Sequence, residues 1–356
     1  NPGMIRGLLA TVENKCDMIN MSYGEQTSDP NTGRFVELAQ DIVKKHGIIY
    51  VSSAGNAGPC LSTVGSPGGN EEYLIGVGAF ITPSMVQPQY SMTSDLQDDG
   101  RNYQWSSRGP SADGSMGVCI SALGAACAPV PTWALQPTQL MNGTSMSSPA
   151  ACGGIALLVS ALKQMKAKYT PFRIKAAIEA AAKQILGNDV DHFALGSGLL
   201  NIPNTFAWLE KYLDEKKLDL HYKVSITPAG RQEQMRGIYI RENGGTSRVQ
   251  NYSLSVSAEF PKWQFEIDAE NNAIKAGDVN LDGVLDDNGL VAVPDHPVLS
   301  NLRQFTVADK THTEIRTAVK CDADWVTCAE WLLITSQTKT MPIVVDPTRL
   351  APGSHL

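Results

Sequence analysis

Apolar positions follow two alternating periods over the first 214 residues, and a single short one after about residue 220. In GMIRGLLATVENK, Met4, Ile5, Leu8, Leu9 and Val12 fall three and four apart, the spacing of one helix face. CDMINMSYG is a short apolar run that closes at Gly24, a strand feeding a turn. RFVELAQDIVKKHG returns to helical spacing through Val36, Leu38, Ala39, Ile42 and Val43, with a basic last turn before Gly47. IIYVSSAGN and YLIGVGAF are continuous apolar runs of the kind buried in parallel sheets. CGGIALLVSALKQMKAK is apolar nearly all round at its start, which predicts a buried helix. PFRIKAAIEAAAKQI starts a helix at Pro171, and LGSGLLNIPNTFAWLEKYL reads as a turn, a short strand and a last helix. Strands alternating with helices predict an α/β domain over 1–214, a mostly parallel sheet with helices on both faces. Ligands of such sheets sit beyond the carboxyl ends of the strands, here Met21–Glu25 and Ser52–Asn56.

The charged stretch DEKKLD at 214–219 marks a boundary, and the pattern then changes. YKVSITP, RGIYIREN, NYSLSVSAEF, KWQFEIDAE, IRTAVKCDA, WLLIT and MPIVVDP are short, β-rich and separated by turn residues. They predict a second, antiparallel β domain over 220–356, a sandwich or barrel. No internal repeat is visible.

Composition narrows the function classes. A chain of 356 residues holds two domains at roughly 150 residues each. A hydrophobic share of 42% with 18% charged residues is globular. A net charge of -7, with no Lys/Arg cluster beyond a dipeptide, argues against a nucleic-acid partner. No apolar run reaches about 18 residues, so no membrane span is expected. The seven cysteines (16, 60, 119, 127, 152, 321 and 328) are odd in number and scattered, without a CxxC, which favours a reducing, cytoplasmic setting. The first residues are NPGMIRG, without an initiator methionine, so the lack of a leader carries little weight.

Two stretches carry candidate chemistry. NGTSMSSPA places Thr144, Ser145, Ser147 and Ser148 at the mouth of an apolar helix, where unpaired backbone N–H groups favour developing negative charge. One of the hydroxyls is either a nucleophile or simply a helix cap. SSAGNAGP ends a buried strand at Asn56 between two glycines; the carboxamide is either an oxyanion donor or an ordinary turn residue.

Taken together, GTSMSSP at 143–149, SSAGN at 52–56, INMSYG at 19–24 and WSSRGP at 105–110 resemble the subtilisin-like serine proteases in type and order. The resemblance implies Ser145 as nucleophile and Asn56 as oxyanion donor. It also implies Ser22, Tyr23 and Gly24, and Ser53, Ala54 and Gly55, as the two backbone edges that flank a bound peptide. GPCLSTVGSPGG, WSSRGPSADG and QLMNGTSMSSPAACGGIALL are similar to the tripeptidyl-peptidase II branch, as is VVDPTRL more thinly. That likeness implies an exopeptidase taking tripeptides from free N-termini, a large cytosolic homo-oligomer, and no cofactor or metal. It gives Glu25 the task of holding the substrate ammonium, with a second glutamate expected upstream.

The family's Asp-Thr-Gly and His-Gly-Thr-His motifs are absent, and none of His46, His192, His221, His296, His312 and His355 sits in a matching context. Without a base the serine hydroxyl is a weak nucleophile, so this chain alone is expected to be inactive, the later part of a protease domain. A non-catalytic peptide-binding or assembly fragment and a general endoprotease are the alternatives. Leu123 replaces a proline usual in the family, and 95–102 reads as an exposed polar loop. DVNLDGVLDDNG at 278–289 places Asp278, Asn280, Asp282, Gly283 and Asp286 as in a calcium loop. Its twelfth position is Gly289, so an acidic surface turn is the preferred reading.

Overall fold

The computed structural model describes residues 2–27, 29–93, 100–185, 192–241, 248–259, 265–268, 273–276, 290–292, 315–334 and 340–351. Contacts divide the chain into two units, 1–213 and 214–355.

The first unit opens with α1 (Pro2–Glu13), β1 (Met18–Met21), the two-residue β2 (Glu25–Gln26) and α2 (Arg34–His46). The left-handed Gly47 ends α2, returning its N–H to Val43 at 3.2 Å. Then come β3 (Ile49–Ser53), β4 (Gly65–Ser66), β5 (Ile75–Ile81), α3 (Pro83–Tyr90), β6 (Arg101–Asn102) and β7 (Ile120–Leu123). A hairpin, β8 (Ala125–Pro129) and β9 (Thr138–Asn142), leads directly into α4 (Thr144–Gln164). α5 (Pro171–Ala180), α6 (His192–Leu195) and α7 (Ile202–Lys211) follow.

The sheet order is β1-β3-β5-β7, all parallel, with β6 antiparallel at the far end of β5. All residues of β3 and β5 are buried, as their unbroken apolar runs require. Helix α4 packs on four of these strands, meeting Ile49, Val51, Val77 and Ile120 with Ile155, Leu158, Val159 and Leu162. The register sets Met21 opposite Ser52, which puts the loops after β1 and β3 side by side at one edge of the sheet.

Three expectations change. The strand expected in LGSGLLN reduces to bridges from Leu199 to Ser121 and Lys183. Helix α4 is buried on one face only: Pro149, Ala150, Gly153, Ala156, Leu157 and Ser160 are exposed, and no described residue comes within 4 Å of a β-carbon built on Gly153. Its run of small residues leaves that flank apolar but without a partner among the described residues. By length and composition α4 is also apolar enough to cross a bilayer, although no span was expected. Its packing on the sheet marks it as a core helix.

The second unit begins with β10 (His221–Pro228) and β11 (Gln250–Glu259), then β12 (Phe265–Asp268), β13 (Ala273–Ala276) and β14 (Leu290–Ala292). It continues with β15 (Ile315–Ala318), β16 (Val326–Cys328), β17 (Trp331–Ile334) and β18 (Thr340–Val345). Its pairings are all antiparallel: β10-β11-β18-β16, β12-β13-β14 and β15-β17. RGIYIREN, expected as a strand, forms none over its described residues 236–241. Ile238 and Ile240 pack instead against Ile226, Tyr252 and Val345, so the segment reaches its core from a loop. The acidic stretch 278–289 lies outside the described residues.

Ile155 is fully buried, whereas Leu157 is 66% exposed. In urea unfolding of the 356-residue chain, Ile155→Ala should cost about 2–5 kcal/mol. Leu157→Ala should cost no more than about 0.5 kcal/mol. Equal costs would show that the outer flank of α4 is covered within this chain.

Candidate active site

None of the four hydroxyls caps α4. The N-cap is Gly143, with φ +155° and no side-chain bond. Thr144, Ser147 and Ser148 are buried, and each is committed elsewhere: Thr144 Oγ1 donates to Asn56 Oδ1 (2.8 Å), Ser147 Oγ to Gly143 O (3.4 Å) and Ser148 Oγ to Asn20 Oδ1 (2.7 Å). Ser145 alone is half-buried, with its Oγ donating to Ser22 O at 3.2 Å. Met146 and Ser147 return their N–H groups to Gly143 O. The N–H of Ser145 is left without an acceptor among the described residues, aimed outward where a helix start favours negative charge.

Asn56 follows β3 and is exposed. Its Oδ1 accepts from both the N–H (3.0 Å) and the hydroxyl (2.8 Å) of Thr144. A backbone N–H only donates, so the atom facing Thr144 is the carboxamide oxygen. The –NH2 end is thereby turned away, toward Gly143. A β-carbon at residue 143 would lie 3.7 Å from Asn56 Nδ2 and 3.6 Å from Ser145 N. Glycine therefore keeps open a space bordered by these two donors and by Met146 Sδ at 3.6 Å, beside the residue whose hydroxyl donates to Ser22 O. The loop bearing Asn56 rests on the 105–110 segment: Ser107 N–H donates to Gly55 O (2.9 Å), Ala57 N–H to Ser107 Oγ (3.0 Å) and Gly58 N–H to Trp105 O (3.0 Å).

The strand-end loop at 22–24 is tied to α4 in both directions. Ser22 Oγ donates to Ser145 O (3.0 Å), and Asn20 links Ser148 to Ser22 Oγ (3.2 Å). Tyr23 and Gly24 lie between β1 and β2, outside either ladder. A β-carbon on Gly24 would meet Ser66 O at 2.8 Å, so this loop can approach β4 only as glycine. The other edge is less open: Ala54 commits its N–H to Val77 O and its carbonyl to Gly65 N–H, and Gly55 O accepts from Ser107. Ser53 and Ala54 are buried. Those residues form a wall, and among the described residues unpaired backbone is found at Tyr23 and Gly24 instead, the Ser22 carbonyl being taken by Ser145 Oγ.

Glu25, in β2, is exposed and accepts a hydrogen bond from Tyr23 Oη at 2.6 Å. That bond, with the nearby carboxylate charge, raises the Tyr23 phenol above its ordinary range. Among the described residues no cluster of metal-ligating side chains exists. His46 ends α2 and His192 opens α6, both exposed, and His221 lies in β10. His296, His312 and His355 lie outside the described residues, as does most of the loop expected at 95–102. No imidazole reaches Ser145 among the described residues; its proton points at a backbone carbonyl.

The sequence did not indicate that Thr144 sets the direction of Asn56, that Ser107 props the Asn56 loop, or that Asn20 and Ser148 join β1 to α4. Thr144 and Ser107 stood inside quoted motifs, but side-chain direction is not readable from spacing.

The subtilase family profile matches residues 3–198, more than half of the chain. The chain belongs to the subtilase family. A second profile, the first Ig-like domain of tripeptidyl-peptidase II, matches residues 265–356. Tripeptidyl-peptidase 2 of Oryza sativa subsp. japonica is 38% identical over 99% of this chain and 23% of its own length. That of Drosophila melanogaster is 34% identical over 96% of this chain and 20% of its own. A crystal structure of tripeptidyl peptidase 2 superposes with a TM-score of 0.70 at 31% identity, covering 99% of this chain and 23% of the other. This subtilase chain thus spans less than a quarter of these tripeptidyl-peptidase 2 relatives.

In a subtilase chain with this geometry, Thr144→Val removes one of the two bonds on Asn56 Oδ1 while keeping side-chain shape. It should lower stability by about 1 kcal/mol and shift or broaden the Asn56 side-chain amide signals in a 15N NMR spectrum. An unchanged amide pair would mean that Thr144 does not orient Asn56.

Proposed function

We propose that this chain is the later part of the catalytic domain of a serine exopeptidase that releases tripeptides from free N-termini. The observation that carries the reading is the space beside Gly143, flanked by Asn56 Nδ2 and Ser145 N–H and adjoining the half-buried Ser145 hydroxyl. In the proposed reaction Ser145 Oγ attacks the scissile carbonyl while a base takes its proton. The carbonyl oxygen becomes an oxyanion held by the two N–H groups, and the amine leaves with a proton returned from the base. The base and its carboxylate partner are supplied by another segment of the longer protein. The uncovered flank of α4 and the outer edge of β1, which pairs only with β3 among the described residues, are where such a segment has apolar surface to cover.

Substrate runs along Ser22, Tyr23 and Gly24 as an added strand, against the wall of Ser53, Ala54 and Gly55. Glu25 holds the substrate's terminal ammonium, so the cleavage point is measured from the N-terminus. The names of the relatives support the tripeptide specificity, and the seven free cysteines support a reducing, cytoplasmic setting. Self-assembly into a large homo-oligomer completes the proposal.

A fluorophosphonate probe should label Ser145 in the full-length protein, and Ser145→Ala should abolish labelling. The 356-residue chain should label poorly, because loss of the base costs on the order of 10⁶ in turnover in enzymes of this kind. Asn56→Ala in the full-length protein should lower kcat about 10²–10³-fold with KM little changed. N-acetylation of a peptide substrate should abolish its cleavage. Equal turnover of acetylated and free peptides would remove the Glu25 role and leave a general endoprotease, and absence of labelling in the full-length protein would leave a peptide-binding or assembly fragment.

A further inference from the structure

The connection from β10 to β11 occupies residues 229–249, where an antiparallel hairpin can close in about two. Connections of this length without secondary structure of their own are uncommon in compact domains. This one carries Arg231, Arg236, Arg241 and Arg248 against Glu233 and Glu242, in a chain whose net charge is -7. It folds back on β10 through the Ile226–Met235 bridge, leaving a cleft of about 430 Å³ between the loop and the start of β11.

Arg231, Arg241 and Arg248 all line that cleft, and all three are exposed. None of them has an ion pair or hydrogen bond among the described residues. Three like charges lining one cleft, with no ion-pair partner among the described residues, repel one another, and a bound anion relieves that cost. Guanidinium groups are suited to it, since each presents a planar fork that matches a carboxylate. The floor is ordered: Tyr252 Oη donates to Gln250 Oε1 at 2.6 Å, with Asn251 beside it. Met235, Ile240 and Val249 add apolar wall between the charges. A bare inorganic anion has no use for that wall, whereas a peptide with alternating acidic and apolar side chains uses both.

We propose that this cleft binds an acidic peptide segment, its Asp or Glu carboxylates against Arg231, Arg241 and Arg248 and an apolar side chain against Met235 and Ile240. The site lies wholly in the second unit and does not depend on the role given to Ser145.

The test is fluorescence anisotropy of the intact protein with a labelled peptide of alternating Glu and Leu, its Gln/Leu counterpart, and inorganic phosphate as competitor. The Glu peptide should bind, more weakly as salt rises, and the Gln peptide about tenfold or more weaker. The double variant Arg231→Gln/Arg248→Gln should lose about tenfold in affinity. Arg236→Gln, on the same loop but outside the cleft lining, should not. Circular dichroism checks that each variant is folded, and Arg231→Lys/Arg248→Lys, which keeps the charge but loses the fork, should fall between wild type and the Gln pair. Equal binding of Glu and Gln peptides, unchanged affinity in the double variant, or binding of phosphate without the peptide would each overturn the proposal.

Discussion

A carboxamide accepts at one end and donates at the other, so whatever claims the first end aims the second. Thr144 claims the accepting end of Asn56 twice, through its backbone N–H and its hydroxyl. Turning the amide over would set –NH2 against a backbone donor and forfeit both bonds. Each is worth about 1 kcal/mol in net stability, but the consequence for direction is larger. The same residue that starts α4 therefore fixes where the donor from the β3 loop points, and the donor and Ser145 N–H face one space because Thr144 is the next residue. Without this lock, Asn56 would be a solvent-exposed turn residue free to choose its rotamer.

The lock in turn depends on the sheet. Parallel pairing of β1 and β3 places both strand-end loops beside the start of α4. The reciprocal bonds between Ser22 and Ser145 then make the helix start and the 22–24 loop one unit, with Asn20 and Ser148 as a second tie behind it. Most of the polar groups in this region answer one another within the chain. The hydroxyl of Ser145, which donates to a single carbonyl, and its N–H, without an acceptor among the described residues, are the ones acyl transfer would use. Leftover polar groups at a helix start, bordered by a glycine, distinguish this arrangement from simple capping.

Much of this was legible in the sequence, for identifiable reasons. Continuous β-branched runs cannot be surface strands, and β3 and β5 are fully buried. Of Val36, Leu38, Ala39, Ile42 and Val43, whose spacing marked the inner face of α2, all but the half-buried Leu38 are buried. The motifs placed Ser145 at a helix start and Asn56 after a buried strand, which are their positions on α4 and β3. What stayed hidden was direction. Four adjacent hydroxyls look alike as letters, and only the helical turn distributes three inward and one toward the opening. Ile238 and Ile240 misled for a related reason: alternation reports that side chains are buried on one side, and a loop lying on a core does this without a ladder. Apolarity all round α4 likewise says that the helix is to be covered, not by which residues.

The outer flank of α4 bears on where a base can come from. From Gly114 to Leu162 the sequence holds no charged residue, and this stretch includes the β8–β9 hairpin and most of α4. Where it packs on the sheet, the absence of charge is ordinary. On the outer flank, Leu157 stands 66% exposed among alanines and glycine, and on the hairpin Trp133 is 85% exposed. A solvated face of a helix this long ordinarily carries Lys or Glu, which add helix support and solubility at no packing cost. An uncharged outer face on the helix that begins with the proposed nucleophile is better suited to burial than to water. Under the proposed reading, the segment that buries it also lies against β1, whose outer edge has no partner strand among the described residues. The Ser145 hydroxyl that now donates to the Ser22 carbonyl has no imidazole beside it among the described residues, and under that reading the covering segment is the one to bring it.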